Sequence, residues 1–266
     1  MTILIIGGTG KTGGPLANIL HSSGHTDLLL TSRSGHIPPP FSDKGHWEKD
    51  RQGLHDRTRS HEPMPVATHF LELAKKKGVK RFVFLSGSAS AKGDVPHGQI
   101  HEYIANMKGI EYAVLRPTWF QENFAKNFLE SIRVHDQVFS VAKDGRIPFV
   151  AAEDIALAAA EALTCTQSWN CDRFIVGPEL FSYDDVARLL SRILGRGIIH
   201  ERITFSQELK IWTRMGFKPD YAAWLVIKEE DVANGSQEKI AYRKQSLFRK
   251  RKLEDYFQSN KHLWMV

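Results

Sequence analysis

The chain has 266 residues, 42% hydrophobic and 25% charged, the make-up of a soluble globular protein with one large α/β domain and room for a small appended lobe. Its formal net charge is +6. Seven basic residues (Lys239, Arg243, Lys244, Arg249, Lys250, Arg251 and Lys252) stand against one acid between positions 238 and 252, so the remainder sums to zero. That reads as a solvated charge run near the C-terminus, and neither nucleic acid nor a membrane is expected as a partner.

In chain order, Ile3-Leu4-Ile5-Ile6 reads as a buried parallel strand, with an amphipathic helix over 16–20 directly after a glycine cluster. A second strand covers 27–31. Residues 66–77 form a helix with Phe70, Leu71 and Ala74 at core spacing, ended by Gly78. Arg81-Phe82-Val83-Phe84-Leu85 is a buried strand that runs into a loop of small residues over 86–90. A helix over 100–107 leads to a strand over 112–115, closed by Arg116-Pro117. Further on come a helix over 153–163 and a strand over 174–176. Ser182 then caps a helix through Leu194, with Asp185 in a capping-box position and Gly195 at its end.

Strands alternating with helices predict an α/β fold, a Rossmann-like doubly wound parallel sheet with a small C-terminal substrate lobe. The nucleotide-binding domain with its lobe spans 1–235, the lobe being drawn mainly from 120–235, and 236–266 is an atypical basic segment. Between 41 and 65 there is no run of three apolar residues. One or two strands of the central sheet are therefore missing there. Either the strand at 81–85 moves in to pair with Ile3–Ile6, or the domain does not close.

No apolar stretch approaches the roughly 20 residues of a membrane helix, and the apolar start is too short for a signal-peptide core. Cys165 and Cys171 form no disulfide framework and no metal spacing. A cytoplasmic protein without a metal is expected.

The chemistry begins at Gly7-Gly8-Thr9-Gly10-Lys11-Thr12-Gly13. Glycines in this pattern, between a strand and a helix, make a tight turn, let backbone approach a pyrophosphate and let helix pack on strand. The phosphates then sit at a helix N-terminus, which favours anions. Gly10-Lys11-Thr12 imitates the end of a Walker A loop, but that loop needs a glycine where Ile5 stands, which excludes a nucleoside triphosphate site. The second strand ends in Thr31-Ser32-Arg33-Ser34 with no acid to hold a ribose 2′-hydroxyl. Arg33, assisted by Lys11, suits a 2′-phosphate, so the expected cofactor is NADPH. No tyrosine has a lysine four residues on, which disfavours alcohol–ketone chemistry and suits a substrate that already carries positive charge, such as an iminium.

The run His97-Gly98-Gln99-Ile100-His101-Glu102-Tyr103, followed by Arg116-Pro117-Thr118-Trp119-Phe120-Gln121-Glu122-Asn123-Phe124, resembles the NmrA-like atypical short-chain dehydrogenase/reductases. Within them it is similar to the fungal ergot-alkaloid festuclavine/agroclavine dehydrogenases, over roughly 1–40 and 65–235. The resemblance implies an oxidoreductase acting on a C–N bond, reducing a cyclic iminium derived from chanoclavine-I aldehyde to an ergoline with NADPH. It implies a small-molecule alkaloid substrate and cooperation with an upstream pathway reductase. Ser86, Gly87 and Ser88 are expected beside the nicotinamide. Trp119, Phe120 and Phe124, at the start of a helix, are expected against the substrate's indole, and His101 and Glu102 near its positive charge. No catalytic residue is named. The tracts 41–65 and 241–252 are unlike this family and point to impaired activity. The alternative reading is a non-catalytic NmrA-like NADP(H)-sensing regulator.

Overall fold

The computed structural model describes residues 1–32 and 63–265. Its elements begin with β1 (Ile3–Ile6), α1 (Gly13–Ser22), β2 (Leu28–Thr31), α2 (Met64–Lys76), β3 (Arg81–Leu85), α3 (His97–Ala105) and β4 (Glu111–Pro117). After a short 3-10 turn at Gln121–Asn123 come α4 (Leu129–His135), β5 (Gln137–Ser140), α5 (Ala152–Thr164), β6 (Cys171–Val176) and α6 (Tyr183–Leu194). The last are β7 (Ile199–Arg202), α7 (Phe205–Arg214), α8 (Pro219–Ala233), α9 (Ser236–Ala241), β8 (Ser246–Phe248) and α10 (Leu253–Ser259). The chain divides into two compact units, Met1–Arg116 with Ala152–Arg173, and Pro117–Ala151 with Phe174–Val266.

In the first unit, β1 and β2 pair in parallel, Ile3 opposite Leu28 and Ile6 opposite Thr31. Parallel neighbours need a crossover, and α1 supplies it. Leu16, Ala17 and Leu20 form the buried stripe of that helix. Helix α5 lies against α1, and its buried run of alanines (Ala156, Ala158, Ala159, Ala160) keeps that contact close. β3 pairs in parallel with β4, which is followed in the sheet by β6. Arg81 secures this sheet: it pairs with Glu111 opposite and donates to the carbonyls of Ala162, in the last turn of α5, and Cys165, just beyond it. Helices α2 and α3 close over it through Ala67, Leu71, Ile100, Ile104 and Met107, with Phe82 and Phe84 packed against them.

Of the two outcomes expected, the shift of the 81–85 strand onto β1 does not occur. Five consecutive residue pairs commit β3 to β4, and among the described residues β1 pairs with β2 alone. Leu85 and Ile6, apolar residues ending β3 and β1, are both 38% exposed. The tract 41–62 lies outside the described residues, and Pro63 leads directly into α2.

In the second unit, β5 and β7 pair in parallel and pack with α6. Ser182 Oγ accepts the Asp185 N–H at 3.1 Å while Asp185 Oδ2 accepts the Ser182 N–H at 2.9 Å, the reciprocal cap expected from the sequence. Gly195 ends the helix at φ +70°. The core gathers Phe124, Phe128, Phe149, Tyr183, Leu190, Phe257 and Trp264. The basic run is no solvated tail. Its middle is β8, paired in parallel with β6 at Phe174–Ser246 through Val176–Phe248, and Leu253 and Phe257 just after it are buried. The basic residues flank this strand rather than lie on it: Arg243, Lys244, Lys250, Arg251 and Lys252 are exposed, while Arg249 is half-buried.

Candidate functional site

The glycine cluster folds as a cradle between β1 and α1. Gly7 takes φ +74°, a conformation open to glycine, and its carbonyl accepts the Gly10 N–H at 2.8 Å. Gly8 N–H donates to the Thr31 carbonyl at 2.9 Å, and Thr9 Oγ1 lies 2.9 Å from Ser32 Oγ, so the loop is tied to the end of β2. A Cβ on Gly8 would lie 2.5 Å from Leu30 Cγ, and one on Gly13 only 2.2 Å from the Gly7 carbonyl oxygen. Each glycine is thus required by a close approach. Thr12 provides no side-chain cap to α1, and the first turn carries no acid. A glycine-lined backbone against an uncapped helix N-terminus fits a dinucleotide diphosphate. Lys11 is exposed in this loop, and Arg33 lies outside the described residues.

Ser86, Gly87 and Ser88 follow the C-terminal end of β3, where parallel sheets of this kind place ligands. The Ser86 N–H bonds the Leu115 carbonyl at 2.8 Å. Arg116, 8% exposed at the end of β4, donates to the Ser88 carbonyl at 3.2 Å and to Asp172 Oδ2 on β6 at 2.8 Å. Sequence reasoning missed both Arg116 and Asp172. An arginine directly after the apolar run Ala113-Val114-Leu115 is the one signal that pointed to a buried, paired cation.

His101 and Glu102 part company on α3. Glu102 faces solvent, while His101 is 3% exposed with its Nδ1 unpartnered. Burial lowers the pKa of His101, with the Asp172 and Arg116 charges acting in opposite directions, so the imidazole is neutral near pH 7. Ser86 Oγ and Ser90 Oγ are also buried without a partner. In one unit, therefore, three orphaned polar atoms accompany the glycine cradle. Unsatisfied groups of this kind cost free energy unless a ligand or water meets them.

The aromatic residues belong to the second unit. Trp119 and Phe120 do not begin a helix. Past Pro117 the backbone is extended at Phe120, which bridges to Val150, and the Trp119 carbonyl accepts the Val150 N–H at 2.9 Å. Both side chains are half-buried. Phe124 has no exposed surface, and its ring lies 5.2 to 6.4 Å from those of Phe128, Phe149, Tyr183 and Phe257. Among the described residues no helix is long and apolar enough to cross a membrane, and no group of three or more His, Cys, Asp or Glu is arranged to hold a metal.

No family model matches the chain. Among solved structures it is similar to a Citrobacter triphenylmethane reductase complexed with NADP(H), at TM-score 0.70 and 17% identity, covering 98% of this chain and all of that one. It is likewise similar to an NADPH-dependent quinone oxidoreductase of Escherichia coli, at TM-score 0.71 and 16% identity over 98% and 99% of the two chains. At these identities the likeness establishes the Rossmann-like fold. Among curated proteins it is 37% identical to festuclavine synthase II of Penicillium roqueforti over 259 residues, 90% of each. It is 35% identical to the agroclavine dehydrogenase of Claviceps fusiformis, covering all of this chain and 99% of that protein. That alignment runs over 291 residues, longer than this chain's 266, so the relative carries positions with no counterpart here. With identity above one third over nine tenths or more of both partners, the chain belongs to the family of the agroclavine and festuclavine dehydrogenases.

Proposed function

We propose that the chain is an NADPH-dependent oxidoreductase of ergot-alkaloid biosynthesis, reducing a cyclic iminium from chanoclavine-I aldehyde to an ergoline such as festuclavine or agroclavine. The observation that carries the reading is the cradle at residues 7–13, where Gly8 and Gly13 leave no room for a side chain and α1 has no cap of its own. The names of the relatives supply the substrate class. The loop and the start of α1 hold the diphosphate, Arg33 and Lys11 meet the 2′-phosphate, and Ser86, Gly87 and Ser88 face the nicotinamide.

When bound, the reduced nicotinamide supplies a hydride. The chain's own part is to receive a cation and keep it dry. An iminium carbon is neutralised by the hydride itself, so no proton has to arrive with it, which agrees with the missing Tyr-x-x-x-Lys pair. His101, kept neutral by burial, adds no opposing charge, and Asp172 neutralises Arg116. In the second unit, Trp119 and Phe120 offer ring faces to an indole or a cation. Trp119 packs on the core cluster that contains Phe124, so Phe124 supports the aromatic face without touching the substrate.

The test is consumption of NADPH by the full chain in the presence of the iminium, followed by absorbance of the reduced nicotinamide. The second reading is an NADP(H) sensor without turnover, which would use the same glycine cradle. Binding without oxidation would select it.

A further inference from the structure

The second unit buries two carboxyl groups that the proposed reaction does not use. Glu208 on α7 has no exposed surface, and Glu229 on α8 is 5% exposed. Trp212 Nε1–H donates to Glu208 Oε1 at 3.2 Å. Helices α7 and α8 pack against one another, and Tyr183, Trp119 and Glu208 are the side chains that act on the Glu229 carboxyl. One oxygen of each, Glu208 Oε2 and Glu229 Oε1, is buried with no partner.

Among the described residues no cation acts on the two carboxyls to compensate two negative charges. The groups facing the pair are Trp119 from the segment after β4, Tyr183 at the start of α6, Trp212 on α7 and the Val141 backbone after β5. His200 on β7 stands behind Tyr183, ring to ring at 5.6 Å. Burial lowers its pKa against the pull of Asp184, so it is neutral, with Nδ1 3.0 Å from Asp184 Oδ1. Asp184 is answered in turn by Arg202 at 2.6 Å, which also holds Asp144. Among the described residues neither Lys nor Arg acts on Glu208 or Glu229.

Two neighbouring carboxyl groups, shielded from water and lacking a counter-ion among the described residues, cannot both be ionised. A proton between them converts repulsion into an O–H···O bond and leaves the Glu229 acceptor positions to the Trp119 and Tyr183 donors. We propose that Glu208 and Glu229 share one proton, and that this protonated pair positions Trp119 and Tyr183 on the α7–α8 hairpin. The two are positioning residues: they act on a substrate through the Trp119 ring. That last step alone rests on the reductase reading. Burial raises both carboxyls, and for Glu208 the Glu229 charge is the second cause.

The test is fluorine NMR of the full chain labelled with 5-fluorotryptophan, the Trp119 resonance being assigned by its loss in Trp119→Phe. In the unsubstituted protein that resonance is expected to shift or broaden as the pH is raised from about 6 to about 10. In Glu208→Gln an amide N–H replaces the shared proton, so the resonance should keep its neutral-pH position and lose the alkaline transition. A resonance indifferent to pH in the unsubstituted chain overturns the proposal without any variant having to fold. A transition that persists unchanged in Glu208→Gln also overturns it. With the iminium substrate, KM should rise about fivefold or more through the same transition while kcat holds, and Glu208→Gln should flatten the rise. A flat KM in an active enzyme overturns the positioning of the substrate face. Absence of all turnover defeats the reductase reading, and the resonance still decides the pair.

Discussion

A methyl group at position 13 meets backbone, 2.2 Å from the Gly7 oxygen and 2.8 Å from its carbonyl carbon, so no flexible side chain can yield to it. Gly13→Ala must push the turn after β1 away from α1 and open the cradle. The expected result is a loss of NADPH affinity of about tenfold or more, roughly 1.4 kcal/mol, in a titration of nicotinamide fluorescence. Unchanged affinity would remove the cradle from the site. Arg116 and Asp172 make a second argument from single groups. Burial pushes the Asp172 carboxyl up, but the hydrogen bond and charge of Arg116 outweigh it and hold the group below its ordinary value. A depressed carboxyl contributes stability that is present above its unfolded value and lost as the pH falls through the folded one. Asp172→Asn should therefore cost about 1.5–3 kcal/mol at neutral pH in denaturant unfolding, with the deficit shrinking on acidification. The arginine was visible in the sequence as a charge closing an apolar strand. Its partner lies 56 residues on and carried no local signal.

Elements were legible where a local rule fixed them. Apolar strand, glycine turn and helix follow one another in β1 and α1, and Ser182, Asp185 and Gly195 mark both ends of α6. Elements set by tertiary pairing were not. The stretch after Pro117 has helical aromatic spacing but is drawn into extended structure by the bridge to Val150, and the short β8, set within a basic run, is a strand because β6 offers it an edge. The α7–α8 hairpin carries the least legible feature, since nothing in the spacing of Glu208 and Glu229 says that they meet. Its effect on stability has the opposite sign to that of Asp172. A carboxyl whose folded value is raised contributes stability that is complete below its unfolded value, near 4.5, and is lost as the pH rises through about 9. The second unit should thus weaken between mildly acid and alkaline pH by on the order of a few kcal/mol. Glu208→Gln should melt higher than the unsubstituted chain at alkaline pH, as read by thermal unfolding across that range. Parallel melting curves would show that the buried pair carries no such proton.

At the scale of the whole molecule, the glycine loop at 7–13 belongs to one unit, and Trp119 and Phe120 to the other. The doubly wound class was legible because alternating strands and helices leave few other ways to bury the strands on both sides. The partition of the sheet into β1–β2 and β3–β4–β6 was not, because the sequence did not show which strand β3 would take as its partner. A protein that stabilises its native state by binding NADPH melts higher in its presence, but a sensor would do the same. The measurement that separates a reductase from a sensor is NADPH consumption by the purified full chain on addition of the cyclic iminium. The account predicts substrate-dependent oxidation that Gly13→Ala slows at limiting NADPH. An NADPH-dependent rise in melting temperature with no oxidation in the presence of the iminium would contradict it.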